Sequence, residues 1–326
     1  MKKILGIGNA LVDIMTQLED DKLLTEFDLP KGSMQLVEKD KSEFVNSNTN
    51  HLKKDITSGG SAANTINGLA NLGTECGYIG KVGKDEFGNF FETDLKNNSI
   101  TPILFKTETE TGVAMALVSQ DSERTFATYL GAAVELSAAD LSEKDFTGYD
   151  ILHIEGYLVF NNELLEQAMK LAKKAGLKIS LDLASYNVVE ANLDFLKKVA
   201  VDYVDIIFAN EEEAKAFTGM EPEAALDEIA KVCEIAVVKV GPKGSFVKKD
   251  GKSCSVDVIP ATRRDTTGAG DLYASGFLYG LTKNLSMEQC AKIGTILSGK
   301  VIEVMGAKMP AQTWTEIKAM VAEVEK

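Results

Sequence analysis

A chain of 326 residues, 44% of them apolar, can bury a sizeable core as one large α/β domain or two ordinary ones. Its net charge of −14 denies it the basic face that nucleic acid requires, although helix N-termini and magnesium can still offset the phosphates of a bound nucleotide. Two histidines, His51 and His153, and four scattered cysteines, Cys76, Cys233, Cys254 and Cys290, argue against histidine-built metal sites, His-based triads and C-x-x-C chemistry.

Free thiols fit a reducing cytoplasm. No stretch reads as a signal peptide or reaches the roughly 20 apolar residues of a membrane helix, so a cytoplasmic protein without a membrane partner is expected.

Residues 3–7 read as a short buried strand. The charged stretch that follows carries a candidate strand at 33–37, after which 62–72 have helical spacing and 76–79 read as a strand. Residues 111–119 and 125–130 form a predicted hairpin around the polar turn Gln120-Asp121-Ser122-Glu123. From residue 150 the rhythm becomes regular. Strands at 151–154, 178–183, 205–209 and 236–240 alternate with helical stretches at 162–175, 211–218 and 224–233. That alternation implies βαβ crossovers and a parallel sheet covered by helices on both faces. The last third, 268–281 and 286–304, reads as mainly helical, with Arg263 and Arg264 on a strand before it. His51 lies in a polar stretch and reads as surface; His153, within Ile151-Leu152-His153-Ile154, reads as part of a buried strand. No repeat or long linker divides the chain. One α/β layered domain over 1–326, with a smaller β element built from two early insertions, is expected.

Two apparent motifs fail on inspection. Gly6-Ile7-Gly8-Asn9-Ala10-Leu11 has leucine where a dinucleotide fingerprint needs its third glycine. Gly251-Lys252-Ser253 lacks the earlier glycine of a Walker A loop, which is Phe246 here. The informative segment is Asp265-Thr266-Thr267-Gly268-Ala269-Gly270-Asp271, a small-residue loop running straight into an apolar helix. Gly268, Ala269 and Gly270 would leave backbone N–H groups bare at a helix N-terminus, where they and the helix dipole bind anions. Asp271 beside them is placed to take a proton from an attacking hydroxyl. A plain capped helix start with an acid in its first turn is the structural alternative.

This segment resembles the C-terminal signature of the ribokinase-like (PfkB) family of sugar and nucleoside kinases, and four further motifs follow that family in order and spacing. Ser58-Gly59-Gly60-Ser61-Ala62-Ala63-Asn64 resembles its N-terminal glycine motif, which implies substrate contacts from Gly59, Gly60 and Asn64. Gly80-Lys81-Val82-Gly83-Lys84-Asp85-Glu86-Phe87-Gly88 resembles its G-x-V-G-x-D-x-x-G stretch. Asn210-Glu211-Glu212-Glu213 resembles its N-x-x-E motif, which implies that Asn210 and Glu213 act on magnesium and the ATP phosphates; the same spacing also fits a helix capping box. Lys239-Val240-Gly241-Pro242-Lys243-Gly244 resembles the glycine turn near the nucleotide, which puts Lys239, Gly241 and Gly244 beside ATP. In the opening Gly8-Asn9-Ala10-Leu11-Val12-Asp13-Ile14, the resemblance assigns Asn9 and Asp13 to the acceptor's hydroxyls.

The resemblance implies an α/β; three-layer α/β/α sandwich with a small β-sheet lid formed by about 15–57 and 101–131. It also implies transfer of the ATP γ-phosphoryl to a primary hydroxymethyl group, with Asp271 as base and Gly268–Gly270 as anion hole. The expected small molecules are ATP with Mg2+ and a nucleoside or sugar acceptor. Potassium serves some family members, and Asp265 and Thr267 match the residues near it. A homodimer is left open.

The segments Gly8-Asn9-x-Leu11-x-Asp13-Ile14 and Arg124 to Ala133 are similar to adenosine-kinase-like members. Phe126, Tyr129, Leu130, Tyr157 and Leu158 are then candidates to pack a purine. Leu181-Asp182-Leu183 with Asn187 instead resembles sugar kinases. With Arg124 as the sole arginine expected in the lid, a sugar acid or sugar phosphate ranks lower. A non-enzymatic nucleotide or sugar sensor is the opposing class, and Asp271 speaks against it because binding alone needs no base.

Overall fold

A computed structural model describes residues 2–121 and 123–326. Ser122 of the predicted polar turn lies outside them. The first strands in chain order are β1 (Ile4–Ile7), β2 (Leu11–Gln17), β3 (Met34–Leu36), β4 (Lys54–Gly59) and β5 (Cys76–Gly83). Next come β6 (Ile100–Thr107), β7 (Thr111–Val118), β8 (Arg124–Gly131), β9 (Ile151–Glu155) and β10 (Lys178–Asp182). The series ends with β11 (Ile206–Asn210), β12 (Ile235–Lys239), β13 (Ser245–Lys249) and β14 (Lys252–Val256).

Nine strands form one sheet in the order β14-β13-β12-β11-β10-β9-β1-β5-β6, parallel except for the antiparallel pair β13 and β14 at one edge. Strands such as Ile-Leu-Gly-Ile and Ile-Ala-Val-Val are apolar on both faces because helices cover both sides. One apolar cluster joins Ile66, Phe208, Phe277 and Ile293 on one face, and another joins Leu165, Ile179, Val199 and Ile229 on the other. This is the three-layer α/β/α architecture expected from the alternation. His153 is fully buried in β9 beside Ser180 Oγ at 3.0 Å, and burial pushes its imidazole down to about 4, so it is neutral packing. His51 is exposed. No helix among the described residues is long and apolar enough to cross a membrane.

The second sheet has the order β3-β8-β7-β2-β4. Val12, Ile14, Phe27, Val45 and Met115 fill the space between one of its faces and the helices Lys22–Glu26 and Lys39–Asn48. The other face, carrying Asp13, Met15 and Arg124, turns towards the large sheet.

Its boundaries correct the expected ones. The first insertion begins at Leu11 and runs to Gly59 rather than spanning 15–57. The second begins at Thr111, because residues 101–107, expected to belong to it, lie on β6, which pairs in parallel with β5 at the edge of the large sheet. Pro102 and weak alternation obscure β6 in the sequence, and an edge strand tolerates both. The strand expected at Arg263 and Arg264 is also absent. β14 ends at Val256, and residues 257–267 carry no regular structure.

Candidate active site

Glu155, Asp182, Asn210 and Lys239 are the last residues of four neighbouring strands, and Gly8 and Asn9 follow the end of β1. The carboxyl edge of a parallel sheet is where helix N-termini gather and ligands bind. Helices Ser61–Asn71, Glu211–Thr218 and Ala269–Thr282 start there, and the side chain of Asp271, in the first turn of the last, reaches the first. Its Oδ1 accepts from Ser61 Oγ at 2.7 Å and its Oδ2 from Asn64 Nδ2 at 3.0 Å, while Thr65 Oγ1 donates to its main-chain oxygen at 3.1 Å. Burial pushes the Asp271 carboxyl up to about 6 against the lowering effect of the Ser61 and Asn64 bonds. A base poised near neutral pH can take a proton and later release it.

Gly268 caps this helix at φ +76°, and a Cβ there would come within 2.7 Å of Ala307 Cβ. Glycine is therefore required by both backbone and space. Ala269 N–H donates to Thr266 O at 3.2 Å, whereas the N–H groups of Gly268, Gly270 and Asp271 have no partner among the described residues. The free donors of the expected anion hole are thus Gly268, Gly270 and Asp271, and Ala269 contributes compactness.

A cleft of about 750 Å³ runs from Asp271 and Ser61 past Asp182, Lys239 and Glu213 to apolar walls at Val258 and Ile302. On its floor Lys239 Nζ donates to Asp182 Oδ2 at 3.0 Å. The ammonium also lies 3.1 Å from where a Cβ on Gly270 would sit, directly beneath the glycine loop. Burial alone would depress the Lys239 ammonium, but Asp182 and Glu213 more than offset it. Asn210 and Glu213 form the capping box weighed from the sequence: Glu213 Oε2 accepts from Asn210 N at 2.7 Å, and Asn210 Oδ1 accepts from Glu213 N at 2.8 Å. Burial, with Asp182 adding to it, pushes Glu213 up to about 7. Gly241 and Gly244 have φ of +53° and +89°, and a Cβ on Gly244 would overlap Val256 O.

On the other side of Asp271, Glu155 ties two motifs together. Its carboxylate accepts from Asn9 N at 2.9 Å, Asn9 Nδ2 at 2.6 Å and Ala62 N at 3.0 Å. Gly60, at φ +97°, brings Asn9 O within 2.2 Å of its would-be Cβ, and Gly59 brings Asp13 Oδ1 equally close. The double glycine therefore lets the end of β4 press against Asp13 and the start of the Ser61 helix press against Asn9. Burial pushes the Asp13 carboxyl up to about 7, with Lys308 and Arg124 pulling it down and Asp271 pushing it up. No side chain among the described residues hydrogen-bonds this half-buried carboxylate, and Asn64 Oδ1 is fully buried without a partner. Buried polar atoms without partners next to a cleft call for a ligand that supplies donors.

Arg124 Nη2 lies 2.6 Å from Asp265 Oδ2 and Arg124 Nη1 donates to Thr267 Oγ1 at 2.8 Å, so the two side chains assigned by resemblance to a potassium site are engaged by a guanidinium. Phe126 lies on the Arg124 face of β8, but Tyr129 lines a separate hollow of about 290 Å³ behind that sheet, with Lys39, Glu43 and Phe87. Leu158 is core and Tyr157 lines the larger cleft.

Sequence reasoning missed Ser61, Glu155 and Lys308. The Lys308 ammonium is 3.8 Å from Asp94 Oδ2 and is depressed by burial against the pull of Asp94, Asp13 and Asp271. Ser61 stood inside a quoted motif, and Glu155 ends a strand as Asp182 does. Nothing in its neighbourhood marks Lys308.

Residues 33–314 match the model of the pfkB family of carbohydrate kinases. The chain belongs to that family. Its members are phosphotransferases with a hydroxyl acceptor, and the pfkB kinase fold accounts for the sheet order and for the cleft at its carboxyl edge. A probable sugar kinase from Rhizobium etli superposes with a TM-score of 0.89 at 33% identity, covering 99% of both chains. The adenosine kinase from Sinorhizobium meliloti superposes with a TM-score of 0.87 at 33% identity, covering 98% of this chain and 99% of the other. A 5-dehydro-2-deoxygluconokinase from Listeria monocytogenes is 30% identical, covering 82% of this chain and 87% of its own. This pfkB kinase is thus similar to enzymes of both nucleoside and sugar type.

Proposed function

We propose that this kinase transfers the γ-phosphoryl group of ATP to the 5′-hydroxyl of a purine nucleoside, with Asp271 as the base. The acceptor hydroxyl sits between Asp271 and the free N–H groups of Gly268, Gly270 and Asp271. As the hydroxyl oxygen bonds to phosphorus, Asp271 takes its proton and the bond to ADP breaks. The N–H groups and Lys239 face the negative charge on the transferring oxygens. Asn210, Glu213 and Asp182 line the phosphate end of the cleft; their oxygens already accept bonds within the protein, so they would hold magnesium through its water, and the ion would neutralise phosphate charge when bound. The adenine of ATP lies against Val258 and Ile302. The second sheet acts as the lid that keeps water, a competing acceptor, away.

The observation that carries the acceptor assignment is the pairing of two surfaces. Asp13 and Asn64 Oδ1 offer unpartnered acceptors for ribose hydroxyls. Beside them, the face of the second sheet that bears Phe126 also leaves Met34 54% and Leu36 63% exposed. A free sugar would leave that apolar surface wet, whereas a flat base would cover it. Similarity to the Sinorhizobium meliloti adenosine kinase supports the same reading.

Lys308 and the Listeria relative favour a second reading, a sugar acid. Charge weighs against it, because Lys308 stands among Asp94, Asp13 and Asp271, and an acceptor carboxylate would add a further negative charge. The deciding assay follows ADP release across adenosine, ribose, fructose and 5-dehydro-2-deoxygluconate. Adenosine is expected to give the highest kcat/KM, and a clear preference for any free sugar or sugar acid overturns the nucleoside assignment.

A further inference from the structure

The N–H groups of the glycine loop are aimed by the residues just before it, and that stretch has little of its own to hold it. Residues 257–267 have no regular structure, and Arg264 N and Asp265 N both donate to the single carbonyl of Ile302, at 2.8 and 3.2 Å. What organises the turn is the Asp265 side chain. Its Oδ1 accepts from Thr267 N at 3.0 Å and its Oδ2 from Gly306 N at 2.6 Å. Gly306 directly precedes Ala307, the residue against which Gly268 packs.

The cation that balances Asp265 comes from the other sheet. Arg124 opens β8, and its guanidinium crosses to Asp265 Oδ2 at 2.6 Å and Thr267 Oγ1 at 2.8 Å. Met15 Sδ of β2 packs on the same guanidinium at 3.6 Å. Arg124 is 9% exposed and its Nε has no partner among the described residues, so the side chain is committed to this crossing rather than lying on a solvated surface. A planar fork that bridges a carboxylate and a hydroxyl fixes direction as well as distance, which an ammonium cannot do.

We propose that Arg124 is a positioning residue that couples the second sheet to the anion hole. With that sheet over the acceptor site, the guanidinium pins Asp265 and Thr267 and thereby sets Gly268 and Gly270. With the sheet withdrawn, the Asp265 turn loses its counter-charge and the N–H groups lose their aim. Phosphoryl transfer is then favoured only when the acceptor site is covered. This inference rests on the kinase assignment of the glycine loop and not on which acceptor is used.

Amide hydrogen exchange of ligand-free protein and steady-state rates with ATP–Mg2+ and adenosine test it together, in Arg124→Gln, Arg124→Lys and Arg124→Ala. In Arg124→Gln, exchange of the hydrogen-bonded amides of Arg264, Asp265, Thr267 and Ala269 is expected to rise at least tenfold while β9 to β12 stay unchanged. Its kcat should fall about 10²-fold, the cost of misplacing catalytic groups by about an ångström, with KM for ATP within threefold. Arg124→Lys should recover little, because it lacks the fork. Millimolar guanidinium should restore part of the rate of Arg124→Ala without affecting the unsubstituted protein. Unchanged exchange at Arg264, Asp265, Thr267 and Ala269, or a rise spread evenly over the core strands, overturns the proposal. If the unsubstituted protein leaves adenosine unphosphorylated, the nucleoside reading fails while the exchange measurement still decides this one.

Discussion

At the phosphate end of the cleft, Asp271, Gly268 and Gly270 sit on a helix clamped between Ser61–Asn71 and Met287–Val301, with Gly68 packed so closely on Ser275 that a Cβ would meet Ser275 Oγ at 2.3 Å. At the acceptor end, Asp13 rides on a five-stranded sheet backed by one small apolar cluster, with Met34 and Leu36 exposed on its other face. The first region presents donors fixed by backbone, which suits a phosphoryl group common to every turnover. The second presents the half-buried Asp13 carboxylate, without a side-chain partner among the described residues, on the sheet proposed to act as the lid. Rigidity where charge develops and adaptability where substrates differ is a workable division of labour for a family whose members accept different alcohols.

The largest effect is expected from the rigid end. Asp271→Asn keeps the shape and can still bond to Ser61, but cannot take a proton. Turnover should fall roughly 10²–10⁴-fold, the usual range for a general base, with ATP affinity measured by calorimetry nearly unchanged. A variant that keeps most of its activity would move the base elsewhere. The loss should be the same for every acceptor that works at all, because nothing at the phosphate end distinguishes them.

The next effect separates the ends by pH. In the unliganded protein burial pushes the Asp271 carboxyl up to about 6 and the Asp13 carboxyl up to about 7. On the proposed mechanism both must be ionised, one to take a proton and the other to hold acceptor hydroxyls, so activity is expected to rise as pH increases through those values. kcat/KM for the acceptor reports the free enzyme and should fall more steeply than tenfold per pH unit below about pH 6, since more than one proton must leave. Asp13→Asn should lower the limiting slope of log kcat/KM by one and leave a titration near 6. An unsubstituted slope of one, or a slope unchanged in the variant, would remove Asp13 from the acceptor site.

How much of this was legible depended on whether the chemistry lay within one stretch of chain. Gly268 to Asp271 and Ser58 to Asn64 are local, and each turn needs glycine for a reason visible in spacing: a positive φ or a close approach. The strands of the second half announced themselves because burial on both faces makes them continuous apolar runs. Contacts between distant segments could not be read in the same way. Glu155 holds Asn9 and Ala62, and Arg124 holds Asp265 and Thr267, yet none of these pairs shares a motif. The same limit hid β6, whose partner β5 had to be placed before its edge position could make sense of Pro102.

A smaller effect tests whether the floor of the phosphate end is a built ion pair. Lys239 and Asp182 side chains are 15% and 9% exposed, so removing one leaves the other buried and unpaired. Lys239→Met is expected to lower unfolding free energy by about 3 kcal/mol, and Asp182→Asn added to it should restore much of that loss. Urea denaturation of the single and double variants measures both. A double variant less stable than Lys239→Met would mean that the Asp182 carboxylate depends chiefly on its other bond, from Ala184 N at 3.0 Å, rather than on Lys239.

The smallest effect concerns monovalent cations and revises an expectation from sequence. Asp265 and Thr267 match residues that lie near potassium in some relatives, which predicted a faster rate in potassium than in sodium. Here a guanidinium from the second sheet already lies 2.6 Å from Asp265 Oδ2 and donates to Thr267 Oγ1. A potassium ion would have to share that carboxylate with Arg124 or displace it, and displacement would leave a buried guanidinium without its counter-charge. Rates in lithium, sodium and potassium chloride at fixed ionic strength are therefore expected to agree within twofold. A clear potassium dependence would mean that Arg124 yields its place during turnover. The link between the two ends would then be made by an ion that can leave rather than by a side chain that cannot.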